Sequence, residues 1–235
     1  MLDFGDLKPR TLSALPIARG CQASCPFCFS ESSASAEQDQ AKLDVRKIQT
    51  AAKIAGDHGA ERFVITGGGE PGLLRHELMC DLIKVGSGAL GKVVLITNGH
   101  HLAKQSPESM SETLRDYYQA GLKVLSISRH HQDDEISTNL MRLKTNVSAI
   151  AKSWHSGLDD WPELKLRLVC VLQKGGVDTP EAISQYLDWA VSNNIPEICF
   201  KELYVSTSVE SEYHQHIANL WSHDHQVPLA VLLTF

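Results

Sequence analysis

No apolar run in this 235-residue chain approaches the roughly 20 residues that cross a bilayer as a helix, so no membrane partner is expected. The opening Met1-Leu2-Asp3-Phe4-Gly5-Asp6 lacks the basic start and apolar block of an export signal. Basic residues form no stripe with interleaved aromatics, and the formal charge is −6. A nucleic-acid partner is therefore not expected, whereas a small anion in a local pocket stays compatible. Six cysteines are too few for a secreted disulfide framework in a chain this long. A reducing, cytoplasmic setting fits better, and it suits thiolates that bind metal. With 43% hydrophobic and 21% charged residues, neither disorder nor a fibrous protein is indicated. The expectation is one domain over 1–235, with residues after about 206 as a short C-terminal extension.

What is present is more specific. Cys21, Cys25 and Cys28 stand in the run Gly20-Cys21-Gln22-Ala23-Ser24-Cys25-Pro26-Phe27-Cys28. Thiolates so spaced can hold three corners of a cubane iron–sulfur cluster. Such clusters normally take four cysteines, so three leave one iron open to a ligand that is not protein. The competing reading is a structural zinc completed by a distant histidine, but zinc sites usually show two paired ligand clusters and one is evident here. Cys80, Cys170 and Cys199 stand singly and read as packing residues.

Short apolar runs alternate with helical stretches, the pattern of a parallel sheet with crossover helices. Strands are expected at Thr11–Ala18, Glu61–Thr66, Lys92–Thr97, Leu122–Ser128, Leu164–Leu172 and Glu197–Val205, and a further strand within Val227–Phe235. Helices are expected at Leu43–His58, His76–Val85, Glu108–Ala120, near Asn139–Trp154, at Thr179–Asn193 and near Glu210–Trp221, with Gly59 as a C-cap. The serine-rich stretch Ser30–Gln40 reads as a loop over the site. Six or seven such units give an α/β fold, a partial (β/α)6 TIM-like barrel of parallel strands with outer helices. The cysteine loop then follows strand one and a glycine loop follows strand two, both on the rim where parallel strands present their ligand sites.

That second loop is Thr66-Gly67-Gly68-Gly69-Glu70-Pro71. Its glycines leave backbone groups uncovered for close approach, and Glu70 offers a carboxylate to an ammonium. Cys21, Cys25, Phe27 and Cys28 together with Gly68-Gly69-Glu70-Pro71 resemble the signature of the radical S-adenosylmethionine (SAM) superfamily. The order of strands along nearly the whole chain is similar to that superfamily's partial barrel. The resemblance implies one [4Fe-4S] cluster on Cys21, Cys25 and Cys28. It further implies that the open iron is chelated by SAM, which is reductively cleaved to methionine and a hydrogen-abstracting 5′-deoxyadenosyl radical. By the same resemblance Phe27 lies beside the adenine, and Gly67, Gly68, Gly69 and Glu70 bind the methionyl ammonium. Thr97-Asn98-Gly99 is similar to a turn of the molybdenum-cofactor-synthesis branch, Ser128 to a serine that contacts the cofactor, and Arg167 to a basic residue that pairs with its carboxylate. Replacing Glu70 is expected to weaken SAM binding while the cluster still assembles. The sequence departs from that branch after Ser128, where Arg129-His130-His131-Gln132 replaces an early acidic residue.

Outside these motifs, His130 and His131 stand on the rim, where substrate contact or proton transfer competes with a hydrogen-bonded structural role. At the end of strand six, Lys201 and Glu202 point opposite ways, and Glu202 is a candidate ribose or substrate contact; an ion pair with Arg167 is the alternative. His130 and Glu202 are thus the catalytic candidates. His214, His216, His223 and His225 form a tract readable as a metal site or as a solvated helix. The substrate expected is a small metabolite or peptide in a biosynthetic pathway, and the electron donor an external flavodoxin or ferredoxin. The alternatives are an activase that installs a glycyl radical on a partner, and a non-catalytic iron–sulfur or zinc module.

Overall fold

A computed structural model describes residues 8–30 and 43–232. Six strands form one sheet in the order β1-β2-β3-β4-β5-β6, and every neighbouring pair is parallel. They are β1 (Thr11–Ala14), β2 (Arg62–Ile65), β3 (Lys92–Thr97), β4 (Leu122–Ser128), β5 (Lys165–Leu172) and β6 (Glu197–Glu202). Sequential parallel order with helical crossovers is the open, partial form of a (β/α) barrel, as the sequence predicts. Helices α1 (Val45–Asp57), α2 (His76–Leu90), α3 (His100–Ala103), α4 (Pro107–Ala120), α5 (Asp134–Met141), α6 (Val147–Ser156) and α7 (Pro180–Ser192) occupy the crossovers. Two more, α8 (Ile217–His225) and α9 (Leu229–Leu232), follow β6.

Local chemistry sets the element ends. Asp44 accepts from the amides of Arg46 and Lys47 and starts α1, while Gly59 just beyond its end takes φ +98°. Ser106 caps α4, with Pro107 at its first position and Gly121 at φ +107° after its last. The central strands are apolar on both faces, as parallel strands covered by helices must be: Val93, Leu95, Leu122, Leu125, Leu166 and Leu168 are all fully buried. Each such side chain contributes about 2 kcal/mol by leaving water, so the sheet is a rigid base for the loops at its carboxyl edge.

Four expectations need correction. β1 stops at Ala14 rather than Ala18, because Pro16 has no amide to extend the ladder. The single helix expected near Asn139–Trp154 is two, α5 and α6; Arg142 turns left-handed at φ 49° and Asn146 caps α6 anew. The helix expected near Glu210–Trp221 is a short 3-10 turn, Glu212–Gln215, followed by α8. No strand forms within the described part of Val227–Phe235: α9 lies there, and Gln226 makes one isolated antiparallel bridge to Gln173. Beyond Ser30, the loop read over Ser30–Gln40 lies outside the described residues, as do the last three residues of the expected terminal strand.

Candidate active site

The loops after β1 and β2 are stitched into one floor. The amide of Thr66 donates to the Ala14 carbonyl at 3.0 Å, that of Gly69 to Ile17 at 2.9 Å, and that of Glu70 to Gly20 at 2.9 Å. A Cβ on Gly69 would lie 2.2 Å from the Gly20 oxygen, and one on Gly67 1.7 Å from the Gly69 oxygen. Neither contact is tolerable, so glycine at both positions is demanded by backbone approach.

Glu70 is the hub of this floor. Its carboxylate is 4% exposed and accepts from three donors: the Gly72 amide at 2.7 Å, the Asn98 amide at 2.8 Å, and the Thr97 hydroxyl. Burial raises its pKa, and the bonds from Thr97, Asn98 and Gly72 oppose that shift. A carboxylate offers about four acceptor sites, so one remains for a cation. Thr97 and Asn98 are themselves buried. The Thr97 hydroxyl accepts from the Gly99 amide at 3.0 Å, and Asn98 donates from Nδ2 to Gln22 at 3.2 Å and to the Cys21 sulfur at 3.6 Å. Glycine loop, threonine-asparagine turn and cysteine loop are therefore one polar network.

Within the cysteine loop, the Cys28 amide donates to the Cys25 carbonyl at 3.1 Å, and the Ser24 amide to the Met141 carbonyl at 3.0 Å. The Cys25 thiol also faces the Met141 carbonyl, at 3.7 Å. Burial pushes the Cys25 thiol up to about 12, helped by the neighbouring Cys28 and Cys21 sulfurs, and burial likewise raises Cys21. Thiols so placed lose their protons when metal binds, not before. Among the described residues no three His, Cys, Asp or Glu side chains close on a single ion.

Opposite the cysteines stands His130, 4% exposed. Its Nδ1 accepts from the Val171 amide at 3.0 Å, which places the ring proton on Nε2. Burial lowers its pKa to about 4, and nearby Arg129 adds to the effect, so the ring is neutral at pH 7. Phe27 meets it edge-on with centroids 5.1 Å apart. The adjacent His131 is used differently, its Nδ1 accepting from the Asp133 amide at 3.0 Å. Arg129 holds this turn: its guanidinium donates to the carbonyls of His131 and Gln132, pairs with Asp134 at 2.7 Å and covers Trp189.

Cys21, Cys25, Phe27, Cys28, Gly67, Gly69, Glu70, Thr97, Asn98, Ser128 and His130 all line one cavity of about 390 Å³ at the carboxyl edge of the sheet. Lys201 and Glu202 stand at its lip, both exposed, and Glu202 accepts the Leu229 amide at 3.0 Å. Gly68 and Arg167 are not among the lining residues. Arg167 pairs across the sheet with Ser126. Its Nε donates to the Ser126 hydroxyl at 2.8 Å, and its guanidinium meets Glu197 at 3.3 Å rather than Glu202. The histidine tract does not converge: Nδ1 of His214 faces the Ser206 carbonyl, that of His216 accepts from the Ala218 amide, and that of His225 faces the Trp221 carbonyl. A wider groove, about 670 Å³, runs between α1 and α2. It contains no strand end and no cysteine, so the chemistry lies in the smaller cavity.

The sequence reading missed the cavity's apolar wall: Ile96, Met141, Val169, Val171, Leu203 and Tyr204. Strand alternation places Val169 and Val171 on the face of Arg167, a signal that was available. Met141 and Tyr204 belong to no periodic pattern that reaches the site.

A parallel α/β sheet thus presents three cysteines, a glycine loop and an apolar wall to one cavity at its carboxyl edge. Residues 15–171 match the radical SAM superfamily, and the chain belongs to it. It is a radical SAM enzyme, and that superfamily uses a [4Fe-4S] cluster held by three cysteines, with SAM. Comparison with curated proteins gives no match. Among solved structures the chain is similar to TYW1 with a lysine-pyruvate adduct bound, at 18% identity and TM-score 0.52, covering 92% of this chain and 72% of that one. It is similar also to a radical SAM methyltransferase from Sphaerobacter thermophilus, at 15% identity and TM-score 0.59, covering 92% and 64%. A third is coproporphyrinogen III oxidase from Escherichia coli, at 12% identity and TM-score 0.53, covering 91% and 50%. These likenesses show the fold, and the chain spans half to about three-quarters of those relatives' length. No helix among the described residues is long and apolar enough to cross a membrane.

Proposed function

We propose that Cys21, Cys25 and Cys28 hold the [4Fe-4S] cluster and that SAM lies in the adjoining cavity, which also admits a small metabolite or peptide. The observation that carries this reading is convergence: three thiols, Gly67, Gly69, Glu70, Phe27 and His130 line one cavity at the strand ends. When bound and reduced, the cluster supplies the electron that splits SAM into methionine and a 5′-deoxyadenosyl radical, which takes hydrogen from the substrate.

This chain's residues bind, orient and shield. Glu70, with one acceptor site left, receives the methionyl ammonium. Phe27 and the apolar wall of Ile96, Val169 and Val171 bury the adenine and exclude water. Neutral His130 presents Nε2–H as a fixed donor to the cofactor or substrate, with Nδ1 anchored on Val171. Arg167, held by Ser126 and Glu197 and absent from the cavity lining, is not assigned to the cofactor carboxylate. Lys201, the one lysine or arginine among the lining residues, faces the anionic group of the bound molecule, and Glu202 stands beside it as a substrate contact. The Thr97-Asn98-Gly99 turn supports kinship with the molybdenum-cofactor-synthesis branch. The single core domain with a short extension, its reducing cytoplasmic setting and an external flavodoxin or ferredoxin donor complete the proposal.

The test is anaerobic reconstitution with iron and sulfide counted and 5′-deoxyadenosine assayed. About four irons per chain and SAM cleavage are expected. Cys25→Ala should abolish the product, and cleavage retained by that variant contradicts the assignment.

A further inference from the structure

Sheet register lays out the inner faces of β4, β5 and β6 as three rungs. The lowest is Ser126, Arg167 and Glu197, register partners bonded to one another at 2.8 and 3.3 Å. The next is Ser128, Val169 and Cys199, all small side chains. The highest sets Val171 beside Lys201 and, on its other side, beside His130, whose Nδ1 takes the Val171 amide at 3.0 Å. Ser128, His130, Val169, Val171 and Lys201 all line the cavity. Neighbouring strands lie about 4.8 Å apart, so His130 and Lys201 flank a single residue, and the flexible lysine stem can carry its ammonium over Val171. These polar groups share one bias: they donate. With Nδ1 engaged, His130 has only Nε2–H to offer, and the Lys201 ammonium has three donors and no acceptor. Lys201 meets no carboxylate within ion-pair distance among the described residues. The acids of β6 do not balance it: Glu197 is held by Arg167, and Glu202, on the alternate face of the strand, accepts the Leu229 amide. Arg129 adds its field from behind; it is 2% exposed, and its charge helps to keep the His130 ring neutral.

We propose that the substrate is a small metabolite bearing an oxyanion, a carboxylate or a phosphate, received by the Lys201 ammonium, His130 Nε2–H and the Ser128 hydroxyl. The inference rests on the cofactor assignment above and deepens it by naming the chemical class of the substrate. A carboxylate or phosphate brings acceptors alone, and its bonds to these donors are charge-assisted, roughly twice as strong as neutral ones. A peptide segment fits this wall less well, because each of its carbonyls comes with an N–H and its backbone carries no counter-charge for Lys201. The two oxyanion chemistries make the same contacts here, and the choice between them is read from the probes below.

The test uses the cluster-loaded, oxidised protein saturated with SAM, so that the cofactor's own carboxylate is already in place. Saturation-transfer NMR follows the binding of three probes: propionate, methylphosphonate and the neutral isostere propionamide. At least one anion should bind, and propionamide should bind at least ~10-fold more weakly. Propionate alone identifies a carboxylate substrate, and methylphosphonate alone a phosphate. Lys201→Gln should weaken the anion at least ~10-fold, whereas Lys201→Arg, which keeps the charge, should restore most of the affinity. Lys201 is exposed, so neither change threatens the fold. Ser128→Ala should cost about threefold. Anions that bind no better than propionamide, or that Lys201→Gln binds as well as the wild type, would overturn the proposal. So would a loss of SAM affinity in Lys201→Gln, which would assign that cation to the cofactor carboxylate. A wild-type protein that takes up no iron and binds no SAM would instead refute the cofactor assignment, a failure read before any probe is added.

Discussion

The two halves of the cavity are built on opposite principles. On the β1–β3 half, nearly every polar group is already spoken for: Glu70 has three donors, Thr97 bridges Glu70 and Gly99, and Asn98 ties the cysteine loop to the β3 turn. On the β4–β6 half, the wall is Val169, Val171, Leu203 and Met141, and the lip is exposed: Tyr204 is 58% accessible. A locked network suits a cofactor that is the same in every turnover, because preorganised groups spend nothing on rearrangement. An apolar wall with adjustable rim side chains suits a ligand whose identity differs between related enzymes. On the proposed reading, the first half holds the methionyl end of the cofactor, Val169 and Val171 of the second half cover its adenine, and the exposed lip of the second half selects the substrate.

That contrast fails most visibly if Glu70 is dispensable. Glu70→Ala leaves three buried donors unsatisfied and should cost roughly 3–5 kcal/mol in urea denaturation. Because Asn98 contacts both Glu70 and Cys21, iron retention should fall too, contrary to the simple expectation that only SAM binding weakens. A variant with wild-type stability and full iron would mean the network is incidental.

A smaller effect comes from the buried imidazoles that flank the halves, His130 and His101, each lowered to about 4 by burial. The unfolded chain protonates near pH 6.5, before the folded one does. Stability is therefore intact above about pH 6.5 and declines as pH falls toward 4, with a slope of up to ~1.4 kcal/mol per pH unit for each ring. His130→Gln should flatten the slope of unfolding free energy against pH; an unchanged slope would place the titration elsewhere.

The smallest stability effect is expected on the second half. Tyr204→Ala removes a mostly exposed ring and should shift stability by less than ~0.5 kcal/mol. Uncoupled SAM cleavage should persist, while substrate-dependent product formation falls at least ~5-fold. Equal loss of both activities would show that the lip belongs to the cofactor.

The cofactor half was largely legible along the chain. Cys21, Cys25 and Cys28 are neighbours in sequence, and the Gly67–Glu70 and Thr97–Asn98 loops follow strands whose apolar runs are unambiguous. Even there, spacing named Glu70 as a ligand for an ammonium and did not reveal that it buttresses Thr97 and Asn98. Arg167 shows the converse. Its place on the inner face of β5 was readable, but its partners Ser126 and Glu197 come from the neighbouring strands β4 and β6, and only sheet register brings them within reach. His130 and His131, adjacent in sequence, part company because one anchors on the β5 Val171 amide and the other caps its own turn.

By itself, then, the sequence determined the order of parallel strands, the cysteine trio and the glycine loop, because each rests on local periodicity or short spacing. Tertiary structure alone decided which polar groups are already satisfied and which wall is apolar. Those are properties of residues far apart in the chain, and only the curling of the open sheet and the packing of its loops make them neighbours.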